Sequence, residues 1–178
     1  MSLFQNKINL KDKKSLVIYF SHIGENYMLD GIRNIDKGNT EVIAEFIKDI
    51  TDADLFKVEP VKEYPHNYRE CCNIAKIELQ NKERPKIKDG LTNIDNYEVI
   101  YIGYPIWYGT MPMPLFTQLE KLNFLGKIVK PFATHEGSGM GKSEKDIKEI
   151  CKDATVLEGL SIRGSNVYDA KSKVEEWI

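Results

Sequence analysis

Apolar residues fall into two patterns along this chain. Leu16-Val17-Ile18-Tyr19-Phe20 and Val99-Ile100-Tyr101-Ile102-Gly103-Tyr104 are continuous β-branched and aromatic runs, as expected of strands buried on both faces. Ile128–Ala133 reads as a further strand, Asp54–Val58 as a shorter alternating one, and Thr155–Ile162 as a fifth. Between these runs the apolar positions take helical spacing. Val42, Ile43, Phe46, Ile47 and Ile50 mark one helix, Tyr68 to about Asn81 a second, and Leu115, Leu119 and Leu122 one face of a third. Ser143–Cys151 and about Ala170 to Trp177 complete the set. Asn39 or Thr40 suits the start of the first helix as a cap. Ser143, with Asp146 three positions on, has capping-box spacing, and Pro60 and Pro65 mark a loop.

Strands that alternate with helices imply a parallel sheet covered on both faces, because parallel neighbours need crossover connections. The expected architecture is a three-layer, doubly wound α/β domain with a five-stranded sheet, running from 15 to 178 after a polar N-terminal extension over 1–14. The length supports this. A chain of 178 residues, 42% hydrophobic and 29% charged, makes one domain and buries roughly two-thirds of its surface on folding. In open sheets of this kind a ligand sits beyond the carboxyl ends of the strands, where strand order reverses. The loops after the first, third and fourth strands are therefore where chemistry is expected.

Charge narrows the class of partner. With 25 basic and 27 acidic residues the net charge is −2, and no basic run offers a nucleic-acid footprint. No stretch approaches the ~20 apolar residues of a membrane span, and Met1–Lys14 is polar and lysine-rich without a signal-like core. A cytoplasmic protein without membrane or nucleic-acid partners is expected. The three cysteines, Cys71, Cys72 and Cys151, lack C-x-x-C spacing and read as reduced structural thiols. Cys71 and Cys72 are neighbours in a helix and are expected to point in different directions.

The first loop begins Ser21-His22-Ile23, continues through an insertion to Lys37, and ends at Gly38-Asn39-Thr40. A helix start presents unpaired N–H groups and partial positive charge, so Ser21, Asn39 and Thr40 could hold a phosphate there. Simple capping is the plainer role for Asn39 or Thr40. The second loop is Pro105-Ile106-Trp107-Tyr108-Gly109-Thr110-Met111-Pro112. Trp107 and Tyr108 could form a wall on which a flat heterocycle stacks, with Gly109 admitting close backbone approach, unless both turn into the core. The third loop is Thr134-His135-Glu136-Gly137-Ser138-Gly139-Met140-Gly141. Its alternate glycines permit positive φ and expose N–H groups that could wrap a polar ring edge, or the loop could simply be flexible.

Glu136 to Ser143 misses the triphosphate-binding pattern G-x-x-x-x-G-K-[ST] only at its first glycine. Glu136 in that place adds bulk and negative charge where phosphates would lie. Other enzyme signatures are absent: His135-Glu136 lacks the second histidine of H-E-x-x-H, Ser138 lacks the G-x-S-x-G frame, and three scattered histidines suggest no metal cluster. His66, beside Pro65, reads as a solvated loop residue.

Taken together, Tyr19-Phe20-Ser21 with Gly38-Asn39-Thr40, then Gly103 to Gly109, then Thr134 to Gly139 resemble the flavodoxin family, in particular its branch with a W-[WY]-G-T-M-P loop. The resemblance implies a five-stranded 2-1-3-4-5 sheet, for which flavodoxin is the standard illustration, with FMN at the switch point. It implies phosphate contacts from Ser21, Asn39 and Thr40, with His22 and Ile23 beside them. Pro105, Ile106, Trp107, Tyr108 and Gly109 would border one flavin face and edge, and Thr134, His135, Glu136, Gly137, Ser138 and Gly139 the opposite edge. It also implies electron transfer to a redox partner protein or small-molecule acceptor, as a monomer or homodimer, either as a carrier or as an NAD(P)H-dependent reductase. Two departures stand out. The insertion Ile23–Lys37 splits the family's compact phosphate loop, so that Gly24-Glu25-Asn26 or Gly38-Asn39-Thr40 could be its functional half. The chain also lacks the strong acidity typical of the family's carriers.

Overall fold

The structure is a computed structural model describing residues 9–178. The apolar runs become a parallel sheet. β1 (Ser15–Tyr19) is central and pairs with β4 (Asp54–Lys57) on one side and β5 (Val99–Pro105) on the other; β5 pairs with β6 (Ile128–His135). Beyond β6 lie β7 (Thr155–Val156) and β8 (Leu160–Arg163), both parallel to it. In order of appearance the sheet runs 2-1-3-4-5, as expected, with the fifth position divided in two. The expected single strand over Thr155–Ile162 is broken because other groups take its backbone: the Trp177 indole N–H donates to the Glu158 carbonyl, and the Gly159 N–H donates to the Glu144 carboxylate.

Successive residues of β1 explain its uninterrupted apolar run. Val17 and Tyr19 enter the core beneath α1 (Asn39–Thr51) and α5 (Lys171–Trp177), while Leu16 and Ile18 enter the core beneath α3 (Met113–Leu119) and α4 (Ser143–Ile150). Both faces of the strand are dry. Each fully buried aliphatic side chain of this kind stabilises the fold by about 1.5–3 kcal/mol. Leu10, within the expected polar extension, is also buried and joins the α1–α5 side; Met1–Ile8 lie outside the described residues.

The insertion forms an antiparallel hairpin, β2 (Gly24–Met28) with β3 (Gly31–Ile35). It is tied at both ends. The Glu25 N–H donates to the His66 carbonyl, and the Glu25 carboxylate accepts the Tyr68 N–H, 2.8 Å away, at the start of α2 (Tyr68–Gln80). An acidic group there meets the positive end of the helix. At the tip, the Leu29 N–H donates to Ser165 Oγ.

Candidate functional site

The carboxyl ends of β1, β5 and β6 converge with the start of α1 around a cavity of about 270 Å³, near the small-molecule range. This is where strand order reverses, since the chain leaves β1 for β4 on one side and returns to β5 on the other. The hairpin and α2 complete the walls.

Asn39 and Thr40 both line the cavity, and neither caps α1. Gly38 is the N-cap residue, and the hydroxyl of Ser21, at the end of β1, accepts the Glu41 N–H at 3.1 Å. A Cβ on Gly38 would sit 2.0 Å from that hydroxyl, so glycine is what admits Ser21 to the helix end. Capping from another element leaves the Asn39 and Thr40 side chains for other work. Thr40 Oγ1 lies 2.8 Å from Thr134 Oγ1, and both threonines are buried. Glu41 N–H also donates to the Gly38 carbonyl, so in the first turn it is the N–H groups of Asn39 and Thr40 that lack an intrahelical acceptor.

The second loop makes a tight turn, Trp107 and Thr110 exchanging both backbone hydrogen bonds across Tyr108 (φ 50°) and Gly109 (φ 81°). Trp107 is half-buried. It is met edge-on by Phe20, His22 and Tyr64 at 5.2, 5.6 and 5.0 Å between centroids, while also lining the cavity. Tyr108 is exposed and its hydroxyl donates to the Cys72 carbonyl. His22 Nε2 is buried without a protein partner. Burial, and then the nearby His66, pushes the His22 imidazole down to about 4, so it is neutral at pH 7.

The third loop departs from expectation. The Gly137 and Gly139 N–H groups do not stand free: both donate to His135 Nδ1, at 2.9 and 3.0 Å. Glu136 lines the cavity. One carboxylate oxygen accepts from the Ser165 N–H and hydroxyl, and Oε2 is buried without a partner. A triphosphate cradle is not available here. Lys142 N–H donates to the Gly109 carbonyl and Ser143 N–H to the Met140 carbonyl, while the Ser143 hydroxyl is fully buried against Tyr104. The expected Ser143–Asp146 capping box does not form either, since Lys142 occupies the cap position and Asp146 instead binds the Thr110 hydroxyl.

A sequence model described as flavodoxin matches residues 34–178. The chain belongs to the flavodoxin family. No curated protein matches the sequence. Among solved structures, it is similar to a Bacteroides uniformis protein assigned as a flavoprotein (26% identity, TM-score 0.74, covering 93% of this chain and 97% of that one). It is also similar to a Bacteroides eggerthii protein assigned in the same way (28%, TM-score 0.69, 92% and 98%). A flavoprotein of Lactobacillus acidophilus, solved in complex with FMN, shares the fold at 24% identity and TM-score 0.63, covering 90% of this chain and 99% of that one.

Within this flavodoxin fold, ten of the residues singled out in the sequence face one cavity: His22, Asn39, Thr40, Pro105, Ile106, Trp107, Tyr108, Thr134, His135 and Glu136. Ser21 and Ile23 lie instead on a smaller neighbouring pocket, and Gly109, Gly137, Ser138 and Gly139 shape loops outside the cavity lining. Glu25 and Asn26, from the alternative half of the phosphate loop, also line the cavity, and the loop motifs point to none of the remaining lining residues: Tyr27 from the hairpin, Tyr68, Cys71, Cys72 and Ala75 from α2, and Gly164. Signals for both elements existed. Asp30-Gly31 within a stretch holding Tyr27, Leu29 and Ile32 is hairpin chemistry, and positions 68, 71, 72 and 75 form a single helical stripe. Cys71 and Cys72 both border the cavity, Cys71 buried against Phe20 and Tyr64 and Cys72 more open, while as helix neighbours they still project in different directions. All three cysteines are free, and burial pushes the Cys71 and Cys151 thiols up to about 12.

Among the described residues, no helix is long and apolar enough to cross a membrane, and no cluster of His, Cys, Asp and Glu could hold a metal.

Proposed function

We propose that this protein is an FMN-binding flavoprotein that passes electrons between a redox partner and a second donor or acceptor. The observation that carries the reading is the cavity at the switch point of a flavodoxin-family sheet, walled by aromatic rings and holding two buried polar atoms, His22 Nε2 and Glu136 Oε2, without protein partners. Unpartnered buried polar groups are costly unless a ligand completes them. The residues fit FMN. Asn39, Thr40 and the first-turn N–H groups of α1 would hold the phosphate, with Ser21 acting by capping that helix. Trp107 and Tyr108 would flank the ring, and His22 and Glu136 would meet polar atoms of the ligand. FMN itself supplies the redox chemistry, accepting and releasing electrons.

The protein's own contributions are orientation and exclusion of water. The hairpin roofs the cavity through Asn26 and Tyr27, and Thr134 fixes Thr40 from the opposite strand. A carrier role is the finer reading. It is tested by loading the protein with FMN, reducing it anaerobically by light, and then adding NADPH to an oxidised sample. Photoreduction with only slow reduction by NADPH is expected. Rapid, repeated NADPH oxidation would replace the carrier with a reductase, and failure to take up FMN would overturn the whole reading.

A further inference from the structure

The third loop is held by its own histidine. His135 Nδ1 accepts the Gly137 N–H at 2.9 Å and the Gly139 N–H at 3.0 Å, and a nitrogen that accepts cannot also carry a proton, so the imidazole proton resides on Nε2. The two glycines have φ of 139° and 61°. A Cβ at either would meet nothing within 4 Å, so backbone conformation rather than space requires glycine there. The sequence thus places two residues free to take positive φ around a single acceptor. His135 and Glu136 both line the cavity, which puts the hoop at its edge.

We propose that His135 is a positioning residue of the flavin site: its unprotonated Nδ1 gathers the Gly137 and Gly139 amides into a hoop, and FMN affinity falls when the imidazole becomes charged. The inference rests on the FMN reading above. A charged imidazole presents an N–H where the two amides need an acceptor, so the hoop comes apart and its ordering is charged against ligand binding. The groups facing the imidazole are Arg163, its cross-strand neighbour on β8, Lys173 on α5, and Glu136 on its own loop. Burial is the largest influence and lowers the imidazole from its ordinary 6.5; Arg163 and Lys173 act in the same direction, and Glu136 opposes them. The hoop is therefore intact at neutral pH and is lost on acidification below the ordinary histidine range.

Two measurements test this. In the FMN-free protein, NMR of the imidazole nitrogens should show the Nε2–H tautomer, and the Gly137 and Gly139 amide resonances should shift together with the His135 titration. FMN affinity is then followed by flavin fluorescence quenching between about pH 5 and 8 for the wild type, His135→Asn and His135→Ala, with folding checked by circular dichroism. Asparagine carries an oxygen acceptor close to the place of Nδ1 but does not titrate. Its variant should bind within about twofold of the wild type at the upper end of the range, without the acid loss, whereas the alanine variant should bind about tenfold more weakly at that end and change little on acidification, so that the wild type falls toward it as the pH drops. At the upper end of the range an alanine variant as tight as the wild type or an asparagine variant no better than alanine, and at any pH amides that ignore the His135 titration, would each overturn the proposal. A wild type that binds no FMN at any pH would instead refute the flavin reading, with the amide titration still deciding whether the hoop exists.

Discussion

Replacing Trp107 by alanine should damage both the apo fold and the site, by amounts that can be separated. The ring receives three edge-on aromatic contacts, from Phe20, His22 and Tyr64, each worth about 0.5–1.5 kcal/mol beyond the area buried. Because Trp107 is only half-buried, part of its surface is in water in the folded as well as the unfolded protein. The total cost to stability is then about 2–4 kcal/mol, less than for a fully buried aromatic. For a domain of this size that lowers the melting temperature by about 4–16 °C, within what a stable domain survives. FMN would lose a stacking surface worth about 1–3 kcal/mol, a Kd about 5- to 150-fold higher. Urea unfolding of the apo protein reports the first term and fluorescence quenching titration the second. Trp107→Phe should lose less than half of each. A variant that melts lower but binds FMN with unchanged Kd would show that Trp107 only packs; unchanged stability would refute the account of the aromatic cluster as well.

Three further outcomes follow from the geometry. Gly103→Ala would set a Cβ 2.0 Å from Phe132 Cζ in the buried sheet, an overpacking that should cost about 1–3 kcal/mol or more in urea unfolding and be partly relieved by Phe132→Leu; wild-type stability would contradict it. Ser165→Ala removes the acceptor of the Leu29 N–H and a donor to Glu136. Hydrogen exchange at Leu29 should rise about fivefold, with global stability nearly unchanged, and unaltered exchange would show that this latch does not hold the hairpin. His22 is buried and neutral, lowered from 6.5 to about 4 by burial and His66, so the unfolded chain takes up a proton that the folded one refuses in that interval. Stability is fully present above pH 6.5 and is lost as pH falls toward 4. His22→Leu should flatten that part of the pH–stability curve measured by denaturation, and an identical curve would remove His22 as its source.

The sheet is legible because burial on both faces makes short β-branched and aromatic runs, Leu16–Phe20 and Val99–Tyr104, and the structure shows Leu16–Tyr19 and Val99–Ile102 alternating between two cores. Helix ends were less legible. The α1 N–H that needed an acceptor found it in Ser21, on the preceding strand, which no local capping rule reads. Ser143 was drawn away from its helix by Tyr104. At the site, residue types pointed to the right three loops, but not to what held them. The amides of Gly137 and Gly139 are taken by His135, two and four residues away, and residue type alone does not distinguish a histidine that meets a ligand from one that binds its own loop. The hairpin escaped notice because β2 and β3 bury little, with Tyr27, Leu29 and Ile32 all exposed.

The most direct measurement is calorimetric titration of the apo protein with FMN and, in parallel, with riboflavin. One FMN per chain is expected, with riboflavin at least tenfold weaker because Asn39, Thr40 and the first turn of α1 would lose the phosphate they are placed to hold. No binding of either flavin, or equal affinity for both, would contradict the site described here.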